Sequence, residues 1–249
     1  MTSWEAFFAE LDRWPAGTAT MWWRDDDATA SSAALDRLLA LSDLPLALAV
    51  VPAHMRVTLA ERLASGRVDV LQHGFSHQNH QPSDKKKAEL GDARPVPVMQ
   101  EELARGWQRL AALFGRRALR VLVPPWNRID GRLAGTLPAQ GYAGLSLSQP
   151  RRAVGDGLFR ANIHVDIVER AGRSRRFIGV EAALGLATSH LAARRAGTVD
   201  GGEPTGLLTH HLVMDEAAFG FTAELLARSS GHPAVKWRAA REIFPAGAG

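Results

Sequence analysis

The chain has 249 residues, 46% of them hydrophobic and 22% charged, a balance that supports a full core and excludes disorder as its main state. Its formal charge of +4 comes from arginines scattered along the sequence, not from a basic face with stacking aromatics, so no nucleic-acid partner is expected. With no cysteine, disulfide stapling and thiolate metal ligation are excluded.

The first ten residues, Met1 to Glu10, mix acids with apolar side chains and lack a basic signal-peptide region, which predicts an amphipathic helix. No apolar run approaches the roughly 20 residues of a membrane span, so a soluble, cytoplasmic protein with no membrane partner is expected. Short apolar runs then predict strands over Thr20–Trp23, Pro45–Val51, Val68–Leu71, Leu119–Val123, Ala143–Leu147, Ile163–Val168 and Gly206–Thr209. Helical spacing predicts helices over Ser31–Leu41, Val57–Ser65, Val98–Phe114, Gly131–Gln140, Ala182–Arg195 and Ala217–Arg228, with Ala234–Ile243 as a carboxyl-terminal helix. Loops are expected at Gln81–Arg94 and Gly197–Pro204, and Lys85-Lys86-Lys87 reads as a solvated helix start.

Strand–helix alternation with buried strands points to a mainly parallel sheet with helices outside, as a barrel (complete or slightly open) or a doubly wound sheet. One domain over residues 1–249 is expected. Polar clusters sit within or at the carboxyl ends of predicted strands: Asp25–Asp27, His73–His80, Trp126-Asn127, Asp166 and His210-His211. In a β/α barrel those ends converge on one face, which makes a site the better reading than solvent exposure.

Each cluster has a plain reading and a chemical one. The Asp triplet is a turn with an Asp or Thr29 capping the next helix, or two carboxylates with separate tasks, one on a metal and one as a base for the attacking water. Successive residues of an extended chain point oppositely, so that pair must lie where the strand turns, with Arg24 offsetting the like charges. His73 and His77, four apart after a strand, are suited to clamp a divalent metal; Ser76 or Asn79 could orient a ring, and His80 is the supernumerary member. Pro124-Pro125-Trp126 is a stiff corner, or a rigid turn presenting Trp126 and its N–H to a pocket. One of His210 and His211 could act as a general acid. Trp126, Trp22 and Tyr142 could form a sugar-stacking surface or belong to the core.

In order, Arg24-Asp25-Asp26-Asp27, His73-Gly74-Phe75-Ser76-His77, Pro124-Pro125-Trp126, Val165-Asp166 and Leu208-Thr209-His210 resemble the five motifs of the polysaccharide deacetylase family, also called the NodB-homology or carbohydrate esterase 4 family. The resemblance implies a distorted (β/α) barrel of about seven mainly parallel strands and a metal-dependent deacetylase that cleaves an N-acetyl or other C–N amide bond. It also implies Asp27, His73 and His77 as ligands of a divalent metal, most naturally zinc, with Asp26 as general base. His210 would then be the general acid, Asp166 the carboxylate orienting it, and Trp126 N–H an oxyanion donor. The other register of the triplet uses Asp25 and Asp26.

The sequence departs from that pattern in two places: Val123 stands where the family carries an arginine, with Arg24 or Arg128 as substitutes, and His211 where an Asp is common. With no export signal read, a small N-acylated sugar or other small C–N substrate is as plausible as a polymer. Two other readings compete: a degenerate carbohydrate-binding barrel of the same family, and a non-haem iron protein with a two-His-one-carboxylate site. An oligomer is possible but not readable.

Overall fold

The computed structural model describes residues 2–64, 68–152, 155, 157–171 and 174–244. Its sheet has nine strands, eight in one path with every pairing parallel. From one edge to the other they are β6 (Phe159–Arg160), β5 (Gly144–Leu145), β4 (Ala118–Val123), β3 (Val68–His73), β2 (Leu46–Val50), β1 (Ala19–Ala28), β10 (Thr205–Thr209) and β7 (Val165–Asp166). The two edges belong to one stretch of chain. Residues 159–166 pair with β5 at their start and with β10 at their end, and the bridge Ser148↔Ile163 lies between. The ring therefore closes as a distorted barrel, with the segment 159–166 serving as a single stave.

Helices cover the outside: α1 (Ser3–Leu11), α2 (Ala33–Leu39), α3 (Val57–Arg62), α4 (Val96–Phe114), α5 (Gly131–Ala134), α6 (Val180–Arg195) and α7 (Glu216–Ser230), while α8 (Ala240–Ile243) packs on the side chains that fill the barrel. Side-chain alternation along the strands separates an interior cluster from two that face the helices, one of them joining Leu122 and Leu145 to Met99, Leu103 and Leu133. Met21, Trp23, Leu46, Leu48, Val50, Val68 and Val70 face the helices. Trp22, Ala47, Ala49, Leu71, Val121, Val123 and Leu208 fill the barrel. No helix of the described residues is long and apolar enough to cross a membrane.

Several sequence expectations change. The predicted strand Ile163–Val168 ends at Asp166; Val168 instead opens an antiparallel hairpin of β8 (Val168–Ala171) and β9 (Ser174–Phe177). Phe159–Arg160, too short and exposed to show a pattern, is a strand through its pairing with β5. The tail Ala234–Ile243 is not one helix. Val235–Trp237 forms β11 parallel to the start of β1, and only Ala240–Ile243 is helical. Phe244 then plugs the strands' amino-terminal end against Trp22 and Phe159; a Cβ on Gly144 would lie 2.3 Å from its ring.

The region Gly131–Gln140 divides into α5 and a 3₁₀ turn at Pro138–Gln140. The run Lys85–Lys87 starts no helix and lies exposed in the loop before α4. The helix predicted over Val57–Ser65 is α3, and Ser65 lies outside the described residues. Ser32 caps α2, accepting from Leu35 N–H at 3.1 Å, in place of Thr29 or an Asp.

Candidate active site

The alternation of β1 sorts the acidic triplet. Trp22, Arg24 and Asp26 share the barrel-facing side of the strand, while Trp23 and Asp25 face away. Asp25 is fully buried against β10, accepting from Thr209 Oγ1 at 2.7 Å and His211 N–H at 2.9 Å and pairing with the His211 ring. Asp26 receives a bidentate grip from Arg24, with Nε at 2.8 Å and Nη2 at 3.0 Å. The same guanidinium donates to Ser146 and Asn127, so Arg24 sits satisfied and fully buried. At Asp27 the backbone turns to φ 77°, and the register with β2 shifts between Asp25 and Ala28. This bulge swings the Asp27 carboxylate out of strict alternation and toward β3.

There Asp27 Oδ1 lies 3.2 Å from Nε2 of His73 and 3.2 Å from Nε2 of His77. His73 ends β3 facing the barrel interior, and its Nδ1 donates to the Val123 carbonyl at 2.9 Å. That bond fixes the role of Nδ1 as donor and leaves Nε2, facing Asp27, as the position for a proton or a cation. His77 follows on a loop at φ 56°. Burial works to raise the Asp27 pKa, but the hydrogen bond and charge of His73, with His77 and His210, outweigh it and hold the carboxyl well below its usual range. Burial also opposes protonation of His73, yet Asp26 and Asp27 overcome it and push the ring upward. His77 is lowered by burial and by His73 beside it. Surroundings negative enough to favour a proton on a buried imidazole favour a cation at the same Nε2. Two nitrogen donors and one carboxylate, their ligand atoms all within 4.8 Å of one another, therefore fit a divalent metal.

The carboxyl ends of the other staves complete a cavity of about 480 Å³. Trp126 lines it at φ 56°, its ring 4.4 Å from that of His77. His210 and Asp166 face it too, with His210 Nδ1 3.9 Å from Asp166 Oδ1, close enough for charge but beyond a hydrogen bond. Burial raises the Asp166 pKa, partly countered by His210. An adjoining cavity of about 510 Å³ shares Asn127 and Asp166 with the first.

Of the remaining sequence expectations, Trp22 and Tyr142 offer no stacking surface, since both are buried. Ser76 and Asn79 orient neither the His73 nor the His77 ring: Ser76 Oγ donates to Glu89 and its carbonyl meets His54 Nε2, and Asn79 ties Gln81 and Ala88 together. Of the two arginines considered in place of Val123, Arg24 bonds Asp26, and Arg128 instead donates to the Lys87 carbonyl. Sequence reasoning missed Glu89, whose fully buried carboxylate accepts from Phe75 N–H, Ser76 N–H and His77 N–H. A single Glu in a polar loop carries no pattern that could have flagged it.

A second group, His164, His190 and Glu203, also brings possible ligand atoms together. It does not fit a metal. The two rings stack 3.4 Å apart at 14°, so their in-plane lone pairs run side by side and cannot meet at one ion. His164 Nδ1 accepts from Gly206 N–H, which places its proton on Nε2, facing Glu203 at 3.4 Å.

No protein-family model and no curated protein matches the chain. Twenty-two chains of known structure do. A Mycobacterium smegmatis protein named for polysaccharide deacetylase activity superposes with a TM-score of 0.66 at 18% identity, covering 95% of this chain and 96% of its own. A peptidoglycan N-acetylglucosamine deacetylase, Bc1960, gives 0.55 at 13% identity, with 95% and 96% covered. A family 4 carbohydrate esterase from Streptomyces lividans, solved with acetate, gives 0.51 at 16% identity, with 89% and 92% covered. The fold is that of the carbohydrate esterase 4 deacetylases.

Proposed function

We propose that the protein is a metal-dependent deacetylase that hydrolyses an N-acetyl or related C–N amide bond of a sugar or other small molecule. The observation that carries this reading is the convergence of Asp27 with His73 and His77, at 3.2 Å from each ring, inside a cavity shared with Asp26 and His210. Asp27, His73 and His77 would hold the ion, and zinc suits that donor set. When bound, a divalent cation supplies Lewis acidity to the water and to the acyl oxygen.

The chain's own groups carry the proton work. Asp26, oriented by the two bonds from Arg24, takes a proton from the attacking water. His210, which lines the same cavity with Asp166 3.9 Å from its Nδ1, gives a proton to the departing nitrogen. Trp126, which lines the cavity on a left-handed turn, would offer its N–H to the developing oxyanion. The degenerate-barrel reading is less well supported, because Asp26, with Arg24 bonded to it, and His210 line one cavity with the proposed ligands.

The test is acetate release across N-acetylated sugars, oligosaccharides and small amides, with and without chelator. Release that chelator abolishes and zinc restores is expected, with about one ion per chain lost in both His73→Ala and His77→Ala. Metal retained in both variants, or release indifferent to chelator, would refute the assignment.

A further inference from the structure

The cleft over the metal triad is rimmed by cations that nothing in the chemistry above employs. Lys86, Lys87, Arg128 and Arg175 all line it. Among the described residues, no carboxylate lies within ion-pair distance of Lys86, Lys87 or Arg128, whereas Lys85, the third lysine of the run, is paired with Asp92 at 2.9 Å. Arg175 reaches in from β9 to 3.6 Å from Asp27. The acids of the cleft are largely engaged: Asp26 by Arg24, Glu169 by Arg176, and Asp27 by the ion assigned to it. The fourth acid of the lining, Asp166, stands beside His210, and with a dication bound the four cations leave the mouth with net positive charge.

These lysines do not sit on a free loop. The Glu89 carboxylate is locked beneath the histidine loop, and Ala88 is held from both sides, its N–H by Asn79 and its carbonyl by His80 N–H. Arg128 Nη1 donates to the Lys87 carbonyl at 2.7 Å, which ties the second lysine to the turn that carries Trp126. Two ammonium groups on an anchored backbone and a guanidinium at the lip of a concave site act over roughly 8 Å at physiological salt, enough to reach a bound ligand.

We infer that the substrate carries an anionic group, phosphate or carboxylate, beside its N-acyl group, and that Lys86, Lys87 and Arg128 select it. This rests on the hydrolase reading and deepens it: it replaces a neutral sugar with an acidic one as the substrate class.

The experiment uses three matched probes: the methyl glycoside of N-acetylglucosamine, its 6-phosphate and its 6-carboxylate. Acetate release and calorimetric binding are measured for each on the zinc-loaded full chain, at about 0.05 M and about 0.5 M salt. One or both anionic probes should exceed the neutral one by about tenfold or more in kcat/KM and in affinity at low salt, and lose most of that lead at high salt. The two anionic arms tell phosphate from carboxylate. In Lys86→Glu/Lys87→Glu, or the milder Lys86→Gln/Lys87→Gln, the anionic-to-neutral ratio should fall by about tenfold, which separates the lysines from any direct bond between anion and metal. A ratio near one in the wild type, or one that neither lysine pair moves, overturns the inference and leaves the hydrolase reading intact. Acetate release from none of the probes counts against the hydrolase reading; the binding ratio then decides the inference by itself.

Discussion

Glu89 shows how much a single side chain can organise. It has no solvent exposure, yet its carboxylate is met by Phe75 N–H at 3.1 Å, Ser76 N–H at 2.6 Å, Ser76 Oγ at 3.1 Å and His77 N–H at 3.1 Å. Those donors make its burial tolerable. They also hold His77 in a left-handed backbone that an L-residue does not readily keep without support. Gly74 belongs to the same device. It sits at φ 56°, and a Cβ there would lie 2.1 Å from Glu89 Oε2. Glu89 therefore positions His77, one of the proposed metal ligands, through its backbone alone. Glu89→Gln should weaken zinc binding by about 10- to 100-fold, because an amide NH₂ turned toward three backbone donors loosens the loop. The same change should cost about 1–3 kcal/mol of stability. Competition with a chromogenic chelator measures the first and urea denaturation the second. Zinc affinity within twofold of the wild type would show that the loop holds its shape without this carboxylate.

One strand, β1, assigns three neighbouring aspartates to three surroundings. Asp25 joins β1 to β10 through Thr209 and His211, Asp26 faces the cleft under Arg24, and Asp27 turns on a bulge to His73 and His77. Substitution by Asn should accordingly give three phenotypes. Asp25→Asn should keep zinc but lose about 1–3 kcal/mol, since it weakens a buried charged network. Asp26→Asn should keep zinc and lower acetate release by about 10²- to 10⁴-fold. Asp27→Asn should lose zinc. Metal analysis, urea midpoints and turnover on the three proteins separate them, and a shared phenotype would refute the division.

Part of this was legible. Alternation places Arg24 with Asp26 and opposes Asp25, and the apolar runs mark the buried staves. The positive φ at Asp27 was not, because it is set by pairing with β2 and not by residue type. The hairpin of β8 and β9 carries Arg175 into the site on polar, arginine-rich strands with no apolar face to read. Val235–Trp237 is too short to outweigh the helical spacing around it, and it becomes a strand only because the start of β1 offers an open edge.

The molecule is polar along its barrel axis, with catalytic candidates at the strands' carboxyl ends and Phe244, Trp22 and the Arg241–Asp69 pair sealing the other. Between these ends lies the seam where residues 159–166 close the ring, and it is built on two buried histidines. His164 bonds β10 in both directions, its N–H donating to the Gly206 carbonyl and its Nδ1 accepting from Gly206 N–H. His190, from α6, stacks on it and meets Thr205 of β10 at 3.0 Å. Burial drives both rings toward the neutral form, and for His190 the neighbouring His164 and Arg194 add to it, bringing its pKa down to about 3; Glu203 beside His164 only partly offsets the effect there. The sign follows from proton counting. An unfolded chain protonates these rings near pH 6.5, while the folded one does so only at lower pH, about 3 for His190. Their contribution is therefore present in full above pH 6.5 and is lost as pH falls toward the folded value, by at most about 1.4 kcal/mol per unit for each ring. Between pH 7.5 and pH 5 the His190 share is about 2 kcal/mol, an order-of-magnitude figure. Carboxylates respond to acid as well, but equally in a variant that leaves them alone. His190→Gln should thus start less stable at pH 7.5, for want of the stack, yet lose about 1–2 kcal/mol less than the wild type on going to pH 5 in urea denaturation. Equal losses in the two proteins would mean that the folded seam accepts a proton at His190 as readily as the unfolded chain does.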